Sequence, residues 1–244
     1  MSMSEVHANA IGRVSEYLTE FLADPRAFRG QQLRGGGPVA KFEQLLTERC
    51  RFPFCVATSN ATSALLGLGL MMDVSGKIAL FPKNHWEGSV AAFRLLGAVI
   101  KRYPDGNPEA IAAKELPHLI VIGSDLMSQS RVRNLKRLSR SQNCIVLEDS
   151  TRLPGITTTM DDVSHADVQV VSFGPGKPLA LGEGGATMLR NQRLRRRFVS
   201  MTQHPEKVHV EYGTKMVIPK VCAFGRIHPI AALIGSEILQ NIIP

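Results

Sequence analysis

The feature that most constrains this chain is a regular alternation of short apolar runs with longer segments of helical spacing. FCVA at 54–57, KIALF at 77–81, VIKR at 99–102, HLIVIGS at 118–124, CIVLEDS at 144–150 and DVQVVSF at 167–173 each read as a strand bounded by turn residues. Helical patterns lie between them, over about 39–50, from about Ser63, from Trp86, over 107–114 and over 131–141, where Leu135 and Leu138 face inward. Strand followed by helix, repeated this often, predicts an α/β fold with a mostly parallel sheet and helices on both faces. One more apolar run, Ala186–Leu189, follows the sixth strand too closely for a crossover helix and is expected to return as one antiparallel strand. A helix at about 11–22 and a basic, glycine-rich link, RGQQLRGGGP, precede this array, and a helix over Ala231–Leu239 follows it.

Sheets of this kind bind ligands outside the carboxyl ends of their strands, so residues far apart in sequence can meet at one edge. The stretch VVSFGPGKPLALGEGG, 170–185, delivers Ser172 and Lys177 there on a Gly-Pro-Gly hinge. The turn Thr58–Thr62 leads from a strand into a helix, and a helix start binds anions through its unpaired N–H groups and dipole. Trp86, the single tryptophan, stands at another strand-to-helix junction, and Asp149 closes the strand CIVLED. Each has a plainer account when read alone. Lys177 is then a solvated loop lysine, Asn60 or Thr62 a helix cap, Trp86 a core residue, Asp149 a loop cap and His85 a packing residue. If Asp149 is buried, however, it needs a cation or hydrogen-bond donors to stay ionised.

Composition narrows the partners. A chain of 244 residues with 44% hydrophobic and 20% charged residues can bury one substantial core, and no run of about 18 uncharged apolar residues marks a membrane span. The start lacks a signal-peptide core, so the cytoplasm is the expected compartment. A formal charge of +8 and the run RLRRRF at 193–198 raise nucleic acid as a partner, yet aromatic residues make up 6% and no recognition motif accompanies the run. A solvated helix face or an attraction for phosphorylated ligands accounts better for the charge. Cys50, Cys55, Cys144 and Cys222 follow no metal-knuckle spacing and read as reduced thiols; no metal site is expected.

A lysine, an acid, an aromatic plate and an anion-binding turn match the parts of pyridoxal 5′-phosphate: carbonyl, pyridine nitrogen, ring face and phosphate. The wording of the chain also resembles the DegT/DnrJ/StrS family of sugar aminotransferases from about residue 35 to about 240. GGGPVAKFEQLL is similar to that family's Gly-Pro, Phe-Glu and helix motif, and SNATSALLGLGL to its phosphate turn. VLEDSTRLPGI resembles its Glu-Asp segment, and SFGPGKPLALGEGGATM its lysine signature. The resemblance implies a fold-type I large domain that binds pyridoxal 5′-phosphate. It further implies that Lys177 forms the Schiff base and then moves the substrate proton, that Asp149 pairs with the pyridine nitrogen, and that Trp86 stacks on the ring. It also implies that Thr62, Ser63 and Ser172 bind the phosphate, and that Arg226 belongs to a motif that reaches a partner subunit.

Three positions depart from the family pattern: Arg152 replaces a glutamine at the cofactor, Ala61 a glycine in the phosphate turn, and Phe224 an asparagine two residues before Arg226. The expected organisation is an N-terminal helix and linker over 1–34 and a cofactor domain over 35–244, with the family's C-terminal small domain absent or rudimentary. The resemblance implies amino transfer from glutamate or glutamine to a keto-sugar, cyclitol or similar carbonyl, and the basic balance of the chain suits an anionic or nucleotide-linked acceptor. A homodimer, or a heterodimer with a related subunit, is the implied assembly. The alternatives are a non-catalytic or half-site subunit that pairs with a longer relative, and a pyridoxal enzyme of altered chemistry such as elimination or cyclisation.

Overall fold

A computed structural model of the chain describes residues 3–24, 33–104, 107–115, 117–123, 129–141, 144–151, 164–215 and 225–241. Arg152, Cys222 and Phe224 lie outside them. Seven strands form one sheet: β1 (Phe54–Thr58), β2 (Ile78–Pro82), β3 (Val99–Tyr103), β4 (Leu119–Gly123), β5 (Ile145–Asp149), β6 (Val168–Ser172) and β7 (Gly185–Leu189). Their order is β1-β7-β6-β5-β4-β2-β3. Every pairing is parallel except those of β7, which runs antiparallel to both β1 and β6. The expected sheet is therefore the one observed.

Side chains alternate across the sheet, so each strand feeds two cores. On one face Val56, Phe81, Val121, Leu147, Val170 and Leu189 meet α3 (Ala61–Met72), α4 (Glu87–Leu95), α7 (Gln192–Thr202) and α8 (Pro205–Tyr212). The opposite face splits in two. Cys55, Val171 and Met188 pack under α2 (Pro38–Cys50) and α9 (Pro229–Asn241), whereas Leu80, Ile120 and Val146 pack under α5 (Pro108–Glu115) and α6 (Gln129–Ser141). A further helix, α1 (Met3–Ala23), lies against α9. No helix among the described residues is long and apolar enough to cross a membrane.

Several helix boundaries differ from the sequence reading, two of them for a clear reason. The first helix starts eight residues earlier than its apolar stripe, because Met3–Ala10 contains no helix breaker and places Glu5 at the positive end of the helix dipole. The helix after β1 starts at Ala61 rather than Ser63, because the Asn60 side chain accepts from the Ser63 amide at 2.8 Å and fixes the first turn two residues sooner. The three described cysteines are buried and form no disulfide among the described residues. Burial pushes the thiols of Cys50 and Cys144 up to about 12, so both stay protonated and unreactive.

The Phe-Glu pair of α2 does two separate jobs. Phe42 is fully buried and meets Phe173 edge to face at 5.3 Å, anchoring the residue that follows β6. Glu43 accepts the Ala57 amide of β1 at 2.9 Å and binds both ways to Lys207 of α8, at 3.1 and 3.2 Å. The Lys207 side chain is only 2% exposed, so the two charges neutralise each other away from water. Removing one partner strands the other. Lys207→Met is expected to destabilise the fold by about 3–5 kcal/mol, with Glu43→Gln plus Lys207→Met recovering most of the loss because the Gln oxygen still accepts the Ala57 amide. Denaturant unfolding of the two variants measures this, and equal losses would exclude a stranded charge as the cause.

Candidate active site

Thr58, Asp149 and Ser172 end β1, β5 and β6 at the same edge of the sheet, and reversed β7 begins there at Gly185. In the register, Gly185 sits between Thr58 on one side and Ser172 on the other. The start of α3 leans directly on this glycine: a Cβ at position 185 would stand 2.6 Å from the Ala61 amide nitrogen. The close approach that favours glycine is thus made from β7, and Ala61 itself turns its methyl into the core. Gly185 thus lies between the start of α3 and Ser172.

That turn presents backbone and hydroxyl donors at the sheet edge. Asn60 takes the Ser63 amide, and Ala64 bonds to the Asn60 carbonyl at 3.2 Å. The amides of Ala61 and Thr62 have no partner among the described residues, as the first turn of a helix requires. Ser59 donates to the Ser63 hydroxyl at 2.9 Å, leaving the Ser63 proton free to donate onward. Behind the turn, the Ser59 amide donates to Gly225 at 2.8 Å, and Arg226 pairs with Thr58 as an isolated antiparallel bridge. Arg226 is therefore held against the anion turn of its own chain.

Asp149 is the chemical centre of the edge. Its side chain is 3% exposed. Ser89, in the first turn of α4, donates to Oδ2 at 2.7 Å, and His85 Nε2 meets the same oxygen at 3.0 Å. The Thr151 amide donates to Oδ1 at 3.1 Å. Burial pushes the Asp149 carboxyl up, but the bonds from His85, Ser89 and Thr151, together with the His85 charge, outweigh it and hold the group below its usual 3.8. The sequence indicated that a buried Asp149 would need such donors, and it missed that His85 is one of them. His85 lies in the loop between β2 and α4 but is not solvated: its side chain is 8% exposed and its ring centre lies 5.6 Å from that of Phe81. Its adjacency to Trp86 at a strand tip was the available signal.

The connection between β6 and β7 carries Lys177. Phe173 opens it by donating its amide to Gly184 at 2.8 Å and accepting the Leu181 amide at 2.8 Å. A tight turn, closed by the Lys177 amide on Gly174 at 3.2 Å, then holds the half-buried lysine beyond the strand end. Trp86 is not a core residue. It is 55% exposed at the cap of α4, with its ring laid over Gly88, where a Cβ would stand 2.3 Å from the indole. The basic run has also been absorbed in part: Arg195 binds Glu211 and Tyr212, and Arg197 donates to the Met71 carbonyl.

At the opposite edge of the sheet, a cleft of about 570 Å³ is lined by Arg133, Lys136, Arg137, His165 and Arg190. Arg190 spends its donors on the carbonyls of Ala166, Arg51 and Ser164, and Lys136 pairs with Asp167 at 2.6 Å. This cleft shares no residue with the carboxyl edge.

The fold is that of solved aminotransferases. An aminotransferase from Psychrobacter cryohalolentis superposes with a TM-score of 0.75 at 20% identity, over 99% of this chain and 62% of that one. The ntda protein from Bacillus subtilis, with bound cofactor PMP, gives 0.72 at 19% identity, over 95% of this chain and 53% of that one. A UDP-4-amino-4,6-dideoxy-N-acetyl-beta-L-altrosamine transaminase of Campylobacter jejuni is 25% identical over 180 residues, 69% of this chain and 48% of that protein. The aligned region thus spans about half of that relative's length. The profile of the DegT/DnrJ/EryC1/StrS aminotransferase family matches residues 20–115 and 119–243, and the chain belongs to that family.

The lowered Asp149 carboxyl fixes a pH dependence. Its ionised form stabilises the folded state above its unfolded pKa, and that contribution is lost as pH falls through the folded value. Asp149→Asn has no such group to protonate. The stability gap between wild type and variant is therefore expected to be widest near neutral pH and to narrow below about pH 4. Thermal unfolding at a series of pH values tests the sign; a gap that widens on acidification would contradict it.

Proposed function

We propose that this chain is the cofactor-binding part of a pyridoxal 5′-phosphate-dependent aminotransferase that moves an amino group from glutamate or glutamine onto a keto-sugar, cyclitol or similar biosynthetic carbonyl. The observation that carries the reading is the state of Asp149. A carboxylate has about four acceptor sites, and three are filled here by Ser89, His85 and Thr151, leaving one on Oδ1 for a further donor. A protonated pyridine nitrogen is such a donor. The unpaired amides of Ala61 and Thr62 and the hydroxyls of Thr62, Ser63 and Ser172 suit a phosphate dianion, and Ala61 does not obstruct it because its methyl faces the core.

When bound, the cofactor supplies a ring that accepts electrons from the substrate's α-carbon. The protein's part is positional and acid–base. Lys177 would hold the cofactor through its amine and would carry the proton between the substrate α-carbon and cofactor C4′. Asp149 keeps the ring nitrogen protonated, and Trp86, exposed at the same edge, covers a ring face. Arg152 lies outside the described residues; in this reading it places a fixed cation near the cofactor. The names of the Campylobacter jejuni relative and of the PMP-bound Bacillus subtilis protein support a nucleotide-linked sugar acceptor and this cofactor. The cofactor domain is read as 35–244, following a helix and linker over 1–34. A dimer completes the site, as a homodimer or with a related subunit, and Arg226 lies where the anion turn meets that interface.

Added pyridoxal 5′-phosphate is expected to give the wild-type protein a visible absorption band that borohydride fixes at Lys177. Lys177→Ala should give no fixed adduct. Glutamate should then convert the bound cofactor to its amine form, with a related subunit added if the chain alone does not turn over. A folded wild-type protein without the band would refute the reading. A band that no amino donor converts, even with such a subunit, would favour altered chemistry over transfer.

A further inference from the structure

The connection between β2 and α4 supplies both side-chain donors to Asp149, and only one of them can be explained as ordinary helix-start chemistry. Ser89 is fully buried in the first turn of α4 and reaches Oδ2 at 2.7 Å. His85 lies before the helix and is held there by its amide on Pro82 at 3.3 Å and by its ring against Phe81. Its Nε2 stands 3.0 Å from the same Oδ2, with the side chain 8% exposed. Two donors on Oδ2 and the Thr151 amide on Oδ1, at 3.1 Å, fix the carboxylate in rotation and leave one acceptor site on Oδ1. To donate to an ionised carboxylate, His85 must carry its proton on Nε2.

We propose that His85 is a positioning residue that, through Asp149, keeps the ring nitrogen of the bound cofactor protonated. The inference rests on the pyridoxal 5′-phosphate reading above. Histidine acts here in two ways. Its bond stabilises the ionised carboxylate, and by occupying Oδ2 it aims Oδ1 at the nitrogen. Without that bond Oδ2 keeps only Ser89 and Oδ1 only the Thr151 amide, so the carboxylate is held less firmly in its ionised form and is a poorer partner for a pyridinium, and the nitrogen gives up its proton more easily.

The test uses the full chain loaded with pyridoxal 5′-phosphate labelled with nitrogen-15 in the ring, in wild type, His85→Gln and His85→Phe. The ring-nitrogen resonance reports its protonation directly, and an absorbance titration gives the cofactor dissociation constant. Wild type should show a protonated nitrogen at neutral pH. His85→Phe should move the resonance toward the unprotonated position and weaken cofactor binding about tenfold, the loss of one charge-assisted hydrogen bond. His85→Gln, which retains a donor, should stay within about threefold of wild type and keep the nitrogen protonated.

Borohydride trapping at Lys177 should persist in both variants, which separates this effect from loss of the lysine site. If His85→Phe lacks the wild-type circular dichroism, His85→Asn, too short to reach Oδ2, takes its place. A wild-type resonance and affinity in the folded Phe or Asn variant would overturn the inference alone. A wild-type protein that binds no cofactor would overturn both it and the function on which it rests.

Discussion

The site depends on one reversed strand. By running against both neighbours, β7 brings its first residue, Gly185, between the ends of β1 and β6, and so sets the distance between the anion turn and the lysine hinge. A parallel strand in that slot would arrive at the carboxyl edge with its last residue and would need a crossover before it. The short return through Lys177 makes the antiparallel pairing and the hinge consequences of the same chain length. Because position 185 has no side chain, α3 can approach the sheet until its first amides lie at the edge. Strand direction, glycine and helix start therefore act together, and altering any one moves the others.

Much of this was legible from sequence because it is local. Short apolar runs bounded by turn residues give the strands, and the brevity of the segment after β6 gives the direction of β7. The strand-end positions of Asp149, Ser172, Lys177, Trp86 and the 59–63 turn follow from the same pattern. What was not legible is pairwise and distant. His85 and Asp149 are 64 residues apart, and Glu43 and Lys207 are 164 apart. No periodicity announces such a pair, since each residue taken singly reads as a polar side chain near a surface. Trp86 shows the converse: its junction position was clear, but only the packing around Gly88 decided between core and exposed edge.

The surplus of positive charge is spread over the molecule for several reasons. Arg190 and Arg197 bind backbone carbonyls, Arg195 joins a pair of acidic and phenolic groups on α8, and Lys207 is buried against Glu43. Guanidinium groups suit this work because they present several donors in a plane. Formal charge counted along a sequence overstates what remains for ligands, and it says nothing of which edge of the sheet carries it. At the carboxyl edge the buried charge is instead an acid, Asp149 at the tip of β5, which accepts three hydrogen bonds.

The Glu43 contact has a further consequence for association. A sheet ends in two strands whose outer backbone groups are open to pairing with another chain, a route to uncontrolled aggregation. On β1 the outer amide of Ala57 is already taken by Glu43, and Arg226 and Gly225 run alongside Thr58 and Ser59. On β3, at the far side, Lys101 and Arg102 put charge on the rim. Both borders of the sheet thus carry features that discourage strand addition.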